Sequence, residues 1–409
     1  MSDSAPHVVI VGAGHAGGSV AAFLRQYGFP GPITLMGDEP IGPYQRPPLS
    51  KAWLKGEADA DSLMLKPDSF YGEQGVTLRT STRVDQLDRA GKALVLSSGE
   101  RIAYDKLVLA TGARARRLPV EGVDLAGVLE LRTAADADAL KAALGLGKRL
   151  AVVGGGYVGL EAAASARTLG AEVVIIERES RVLARVACPL LSTFFQDYHA
   201  ARGVQLVVGA GLARFEGESG RIAAVILDDG RRLPCDAALV GVGAVPNEEL
   251  ARAAGLPCDN GVVVDEGAQT EDPDIFAVGD VTWRPLPRYG RNHRLESVPN
   301  ALEQAKQAAA AIAGRPAPPH ETPWFWSDQY DLKLQIAGLS FGCEDLVVRG
   351  DPATAKFAVF HLRGDVIDAV EAVNAAPEFM MGKKLIESRR PVDRTKLADP
   401  AVSMKDVAA

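Results

Sequence analysis

A strand, a glycine turn and a helix follow one another twice in this chain, and no other feature constrains its fold as much. Residues 7–18 read HVVIVGAGHAGG: the β-favouring run Val8 to Val11 enters Gly12-x-Gly14-x-x-Gly17, and the helical pattern SVAAFLRQYG follows. From Leu150 the order returns, with strand Leu150 to Val153, turn Gly154-x-Gly156-x-x-Gly159 and helix LEAAASARTLG. This spacing suits a dinucleotide pyrophosphate. The first glycine permits a tight turn, the second lets backbone approach phosphate, and the third lets the helix lie close on the strand. The helix N-terminus then offers free N–H groups and the positive end of its dipole.

Each turn is followed by a second strand ending in acid. PITLM (Pro32 to Met36) leads to Gly37-Asp38-Glu39, and Glu172 to Ile176 leads to Glu177. A carboxylate about twenty residues past the turn accepts hydrogen bonds from an adenosine ribose. Two dinucleotides in one chain point to hydride transfer from a nicotinamide to a flavin, because a flavin can release electrons singly. Glu177 would bond the ribose hydroxyls and repel a 2′-phosphate, which favours NADH. Arg178 and Arg181 stand close enough in sequence to receive that phosphate instead.

Composition removes other classes. With 45 basic and 52 acidic residues the net charge is −7, and no long basic run suggests nucleic acid. The length of 409 residues suggests two to three domains. The first seven residues lack a basic region, and the apolar run after them breaks at glycine, so no signal peptide is expected. No stretch approaches the roughly 20 apolar residues of a bilayer span. Cys188, Cys235, Cys258 and Cys343 are scattered, without metal-type or C-x-x-C spacing. The expectation is a chain with no structural disulfide and no metal, in a reducing cytoplasm.

Between the fingerprints, PYQRPPLSKAWLKG (Pro43 to Gly56) predicts an extended entry into a short helix, with Ser50 as a possible N-cap. Lys51 at the helix start gains nothing from the dipole, so it is either a plain surface lysine or the partner of an anionic or electron-rich group. Short strands are expected over Val76 to Val95 and Tyr104 to Ala110, and a helix over Thr133 to Leu146. Further strands are expected at Gly203 to Val208, Ala223 to Leu227, Ala237 to Gly243 and Asp274 to Val281, the last ending at Gly279-Asp280. A carboxylate there suits a hydroxyl-rich chain such as ribityl. Glu296 to Gly314 reads as a helix with Pro299 near its first position, whose N-terminus could stabilise negative charge on a reduced flavin. RPAPPHETP (Arg315 to Pro323) reads as a linker. After it, Trp324-Phe325-Trp326, alternating strands and a helix near Glu378 to Ser388 predict a smaller α+β domain. Trp324 and Trp326 would share one strand face, as core or beside a cofactor ring.

Together, VGAGHAG, PYQRPPLSK, LVLATGARARRLP, VVGGGYVGLE, GVGAVPN, IFAVGDV, ESVPNALEQAK and WFWSDQY resemble the ferredoxin reductases of bacterial oxygenase systems, of the putidaredoxin reductase type. These are FAD- and NADH-dependent flavoproteins of the glutathione-reductase-like superfamily. The resemblance implies an α/β fold of two Rossmann-like domains: a discontinuous FAD domain (residues 1–114 and 246–320), an inserted NAD domain (115–245), and a C-terminal α+β domain (321–409). It implies FAD at Gly12, Gly14, Ala16 and Gly17, with Asp38 at the ribose. It further implies Lys51 beside the flavin, Val84 at adenine, Arg132 at the phosphate or ribityl region, Asp280 at ribityl, Val298 at the pyrimidine ring and Trp326 near the flavin. NAD would take Gly154, Gly156, Gly159 and Glu177, with Glu161 directed at the nicotinamide carboxamide and at Lys51.

Disulfide reductases of that superfamily carry redox cysteines after the second strand, where this chain reads PYQRPPLSKAWL. Electrons would therefore pass to an external acceptor, a two-iron two-sulfur ferredoxin serving a monooxygenase. Docking would be transient and electrostatic, with Lys66, Lys306 and Lys333 as candidates. The alternatives are another acceptor (rubredoxin, nitrite or quinone) or a redox-sensing flavoprotein like apoptosis-inducing factor. The oligomeric state is left open.

Overall fold

The computed structural model describes residues 5–343 and 345–409. By their internal packing the residues form two units. One takes the chain up to Arg46, Asp59–Arg114 and Ala244–Glu321; the other takes Pro47–Ala58, Ala115–Gly243 and Thr322–Ala409.

The first unit is built on a five-stranded parallel sheet, in the order Ile275–Ala277, Lys106–Leu109, Val8–Val11, Ile33–Met36 and Val76–Arg79. Its central strands are buried on both faces, which is why they read as continuous apolar runs rather than alternating ones. Helix His15–Gln26 lays Ala16, Val20, Ala21 and Leu24 into the same core as Ala301, Ala305, Ala308 and Ala309 of helix Val298–Ile312. Ser297 caps the latter helix by accepting the Asn300 N–H at 3.2 Å, and Pro299 occupies its second position. A three-stranded antiparallel meander (Val84–Asp88, Ala93–Leu96, Arg101–Ala103) separates the third sheet strand from the fourth. The strand expected over Asp274 to Val281 stops at Ala277, because Gly279 turns to φ +81° and opens a 3-10 turn.

Residues 315–321 are irregular, as a linker would be, yet they lie along the first unit. Arg315 Nε donates to the Tyr27 carbonyl at 2.9 Å, and His320 Nε2 meets Glu266 at 2.9 Å. Prolines exclude regular structure here, while the charged and imidazole groups between them still find partners.

The second unit repeats the plan. Its parallel sheet runs Val204–Val208, Glu172–Glu177, Arg149–Val153, Ala237–Val240 and Val128–Leu129, and its meander is Leu212–Glu218, Arg221–Leu227 and Arg232–Pro234. An antiparallel sheet follows, ordered Trp324–Gln329, Leu332–Gly338, Val366–Val373, Lys356–Arg363 and Asp345–Asp351, with helix Ala376–Ser388 on it. Leu54 is fully buried in one core with Leu140, Leu160 and Leu334, so residues 47–58 pack within this unit. Among the described residues no helix is long and apolar enough to cross a membrane.

Candidate functional site

The two glycine turns have the same shape. Gly12 sits at φ +110° and Gly154 at φ +111°, where a side chain would be strained. A Cβ on Gly12 would fall 2.2 Å from the Ala110 carbonyl oxygen, and one on Gly154 would fall 2.3 Å from that of Gly241. Gly17 and Gly159 lie against the carbonyls of Gly12 and Gly154 in the same way, at 2.0 and 2.2 Å for an added Cβ. Gly14 and Gly156, the N-caps of helices His15–Gln26 and Tyr157–Thr168, face open space. Neither helix has a capping side chain or an acid in its first turn, so the first N–H groups and the dipole are left to an anion.

These cradles fit dinucleotides. At the first turn, the buried Nδ1 of His15 has no hydrogen-bond partner among the described residues, and burial pulls the imidazole below its ordinary range against the opposing charge of Asp280. A polar atom left so is what a polar ligand would satisfy. Ala16 is buried in the first helical turn, Val84 begins the meander, Asp280 lies on the 3-10 turn Gly279–Val281 and Val298 opens its helix. Asp38 is exposed, whereas Glu39 accepts the Tyr44 hydroxyl at 2.6 Å and Arg46 at 2.7 Å. All of these belong to the first unit. Lys51, Arg132 and Trp326 belong to the second.

Glu177 is already oriented. Its Oε2 accepts the Gly155 N–H at 2.7 Å and its Oε1 the Glu179 N–H at 2.8 Å. The two arginines beside it differ. Arg178 is exposed and touches only Glu179 among the bonds resolved, at 3.1 Å. Arg181 donates to the carbonyls of Ala184 and Ala187 and to Ser192, so it is committed to the fold rather than to a 2′-phosphate.

Lys51 has the partner its placement called for. Its Nζ lies 2.6 Å from Oε2 of the buried Glu161, on helix Tyr157–Thr168. Ser50 does not cap a helix; it ends the 3-10 turn Pro47–Ser50, and Lys51 takes the N-cap position of Ala52–Lys55 without a side-chain bond. The Ser50 hydroxyl instead donates to Glu161 Oε2 at 2.5 Å, because a buried carboxylate is the stronger acceptor. The third donor comes from strand Trp324–Gln329. Ser327 Oγ gives its proton to Glu161 Oε1 at 2.7 Å.

The aromatic cluster divides by face. Trp324 and Trp326 share one side, rings 5.6 Å apart, with Trp324 also against Phe379 and under the Lys383 ammonium. Phe325, Ser327 and Gln329 share the other, where Phe325 meets Tyr157 edge-on at 4.6 Å. Attention to the tryptophans hides Ser327, although two-residue alternation is the signal that finds it.

All four cysteines are free. Burial pushes the Cys188 thiol up to about 12, Cys235 and Cys343 up to about 11, and Cys258 upward as well. None is poised as a thiolate. Cys188 does join His361 and Glu371 in a buried cluster within 4.8 Å, which their sequence separation conceals; Glu371 there accepts the Cys188 N–H at 3.0 Å.

Residues 6–305 match the family described as pyridine nucleotide-disulphide oxidoreductase, and residues 324–408 match the reductase C-terminal family. The chain belongs to the pyridine nucleotide-disulphide oxidoreductase family. It is 54% identical over 402 residues to a probable ferredoxin reductase, CtmF, of Castellaniella defragrans, covering 98% of each chain. To putidaredoxin reductase CamA of Pseudomonas putida it is 44% identical, covering 98% of this chain and 97% of that one. Among solved structures, the covalent putidaredoxin reductase–putidaredoxin complex superposes with a TM-score of 0.97 at 43% identity, covering 99% of this chain and 98% of that one. The chain is thus an FAD-dependent oxidoreductase of the ferredoxin-reductase kind, fed by a nicotinamide dinucleotide.

Of the docking candidates, Lys66 is exposed with its ammonium over the Phe70 ring at 5.2 Å, and Lys306 pairs with Glu321 at 3.3 Å. Lys333 is exposed, its backbone N–H given to Asn374.

Proposed function

We propose that this reductase takes hydride from NADH and delivers single electrons to a two-iron two-sulfur ferredoxin serving a monooxygenase in the cytoplasm. The observation that carries the reading is the presence of two intact dinucleotide cradles in a chain whose four thiols are buried or half-buried and all pushed upward, away from the thiolate. With no thiol to receive them, the electrons go outward. Bound FAD supplies the conversion of a hydride pair into single electrons.

The chain's own part is positional. Gly12, Gly14 and Gly17 hold the FAD pyrophosphate, with Asp38 at its ribose, Val84 at adenine and Asp280 at ribityl hydroxyls. The N-terminus of the helix opened by Val298 stabilises negative charge at the pyrimidine end. Gly154, Gly156 and Gly159 hold NADH, and Glu177, fixed by two backbone N–H groups, accepts the ribose hydroxyls and repels a 2′-phosphate. Glu161, paired with Lys51, takes the carboxamide N–H and sets the ring's orientation, while Lys51 stays as its ion-pair partner. Arg132 and Trp326 complete the proposed flavin surroundings. Lys66, Lys306 and Lys333 meet acidic ferredoxin in a contact weakened by salt.

Cytochrome c reduction driven by NADH, with ferredoxin or rubredoxin as the added carrier, tests this reading. Ferredoxin should accelerate it and rubredoxin should not. Equal rates without ferredoxin, or a preference for rubredoxin, would overturn it.

A further inference from the structure

The three donors to Glu161 are not the end of its network. Behind Ser327, Gln329 Nε2 lies 3.1 Å from Ser327 Oγ, and Gln329 Oε1 lies 2.9 Å from Nε2 of His199. His199, on helix Pro189–Ala200, is fully buried, and its Nδ1 faces the Tyr330 hydroxyl at 3.5 Å. All of these residues lie in the second unit.

We infer that Ser327, Gln329, His199 and Tyr330 form a polarised line of hydrogen bonds that positions the Glu161 carboxylate. The inference rests on the reading of Glu161 as the nicotinamide-orienting acid. Its direction follows from what each group can do. The Glu161 carboxylate only accepts, so Ser327 must donate to it. With its one proton spent, the Ser327 hydroxyl accepts from the Gln329 amide nitrogen. The Gln329 oxygen only accepts, so His199 Nε2 must carry hydrogen.

Burial pulls His199 down to about 4, so at neutral pH the imidazole has one proton and Nδ1 is a bare acceptor. The Tyr330 hydroxyl, pushed up to about 12 by burial, keeps its proton and supplies it to Nδ1. Every hydrogen in the line therefore points toward Glu161, and aligned bonds of this kind polarise one another. The amide in the middle passes no proton, so the line holds the carboxylate and does not conduct.

The charged and titratable groups around it agree with that polarity. Lys51 stands at the inner end. At the outer end the Arg202 guanidinium lies over the rings of Tyr198 at 3.5 Å and Tyr330 at 5.0 Å and pairs with Asp331, which also accepts the Tyr198 hydroxyl. A cation there opposes a second proton on His199. Ser327, Gln329, His199 and Tyr330 touch no reacting atom in this scheme. They are positioning residues.

The test uses the FAD-loaded enzyme and the variants Ser327→Ala, Ser327→Thr, Gln329→Met and Glu161→Gln, each checked for an unchanged melting transition. Three readouts are compared: single-turnover flavin reduction by NADH, the NAD⁺ dissociation constant, and the ¹⁵N spectrum of labelled histidine with His199→Gln to assign its signals. Ser327→Ala should slow reduction about tenfold, the scale of one hydrogen bond to a charge, and change NAD⁺ affinity by less than about twofold. Ser327→Thr should restore most of the rate, and Gln329→Met should cost about threefold. His199 should show the neutral, Nε2-protonated pattern. If Glu161→Gln is slow while Ser327→Ala is as fast as the parent, the line does not position Glu161 and the inference fails alone. If Glu161→Gln is also as fast as the parent, the reading of Glu161 fails and the inference with it. An Nδ1-protonated His199 breaks the line whatever the kinetics.

Discussion

The two parallel sheets are near copies, and the places where they part are the instructive ones. In each, a fingerprint strand lies beside the next strand in sequence, a third follows, and a three-stranded meander leads to the fourth on the opposite side. The fifth strand has different origins. Ile275–Ala277 reaches the first sheet from far downstream, whereas Val128–Leu129 reaches the second from just upstream. The glycine turn is thus duplicated, with the two copies agreeing within 1° at the first glycine. The end of the second strand is not: Glu177 is bonded to two backbone N–H groups, while Asp38 is exposed beside an engaged Glu39. A shared fold supplies the glycine cradle, and local side chains set the two copies apart.

The sharpest way to separate the copies is to damage one turn at a time. Gly12→Ala places a methyl 2.2 Å from a backbone oxygen at φ +110°. The left-handed backbone alone costs about 1–2 kcal/mol, and the carbonyl must also move. The variant should purify without flavin, read from its visible absorbance. Gly154→Ala carries the same strain but should retain flavin and lose reduction by NADH at least about a hundredfold, with chemical reduction intact. Flavin loss from Gly154→Ala rather than Gly12→Ala would reverse the assignment of the turns.

Each unit also holds a histidine whose charging is opposed by its surroundings, half-buried His15 in one and fully buried His199 in the other, and acid should tell them apart. His15 is lowered by burial but has Asp280 working against the shift; burial, with the Arg202 cation nearby, takes His199 from 6.5 to about 4. A histidine that resists charging in the folded state binds fewer protons there than when unfolded. Its stabilisation is therefore complete above pH 6.5 and is lost as pH falls toward 4. The span corresponds to about 3 kcal/mol. Denaturant melts across that window should lose about this much, and His199→Gln should flatten the slope. A slope unchanged by the substitution would show that His199 charges freely in the folded protein.

Much of this architecture was legible because phosphate binding demands glycine at fixed spacing, and buried parallel strands demand continuous apolar runs. The resemblance supplied Glu161 as the partner of Lys51, and the 2.6 Å ion pair bears that pairing out. What the sequence concealed depends on side-chain choice among competing acceptors. Ser50 has the residue type and position of an N-cap, but a buried carboxylate outcompetes the helix end. Residues 315–321 have a linker's composition, yet Arg315 and His320 find carbonyl and carboxylate partners on the first unit. Gln329 and His199 are 130 positions apart, and no local pattern joins them.

The smallest effect concerns the acids that end the second strands, and it bears most directly on why the copies diverged. Glu177→Ala removes the acceptor for the Gly155 and Glu179 N–H groups and the charge proposed to repel a 2′-phosphate. Glu177 and Glu179 are half-buried, so water can enter where the carboxylate was and reach the Gly155 and Glu179 N–H groups, and the fold should survive. The kcat/KM ratio of NADH to NADPH should then fall about tenfold, the worth of one charge-assisted contact. Arg178, exposed and paired at the surface with Glu179, supplies a guanidinium for the phosphate once the Glu177 charge is gone, whereas Arg181 stays bound to its carbonyls. Adding Arg178→Ala should therefore lower NADPH use again, and Arg181→Ala should act through stability instead. Asp38→Ala is the matching change in the first copy. It should weaken flavin retention only severalfold, since the exposed carboxylate gives up little desolvated interaction energy. Unchanged nucleotide selectivity in Glu177→Ala would take that residue off the ribose, and the divergence of the two copies would then need another cause.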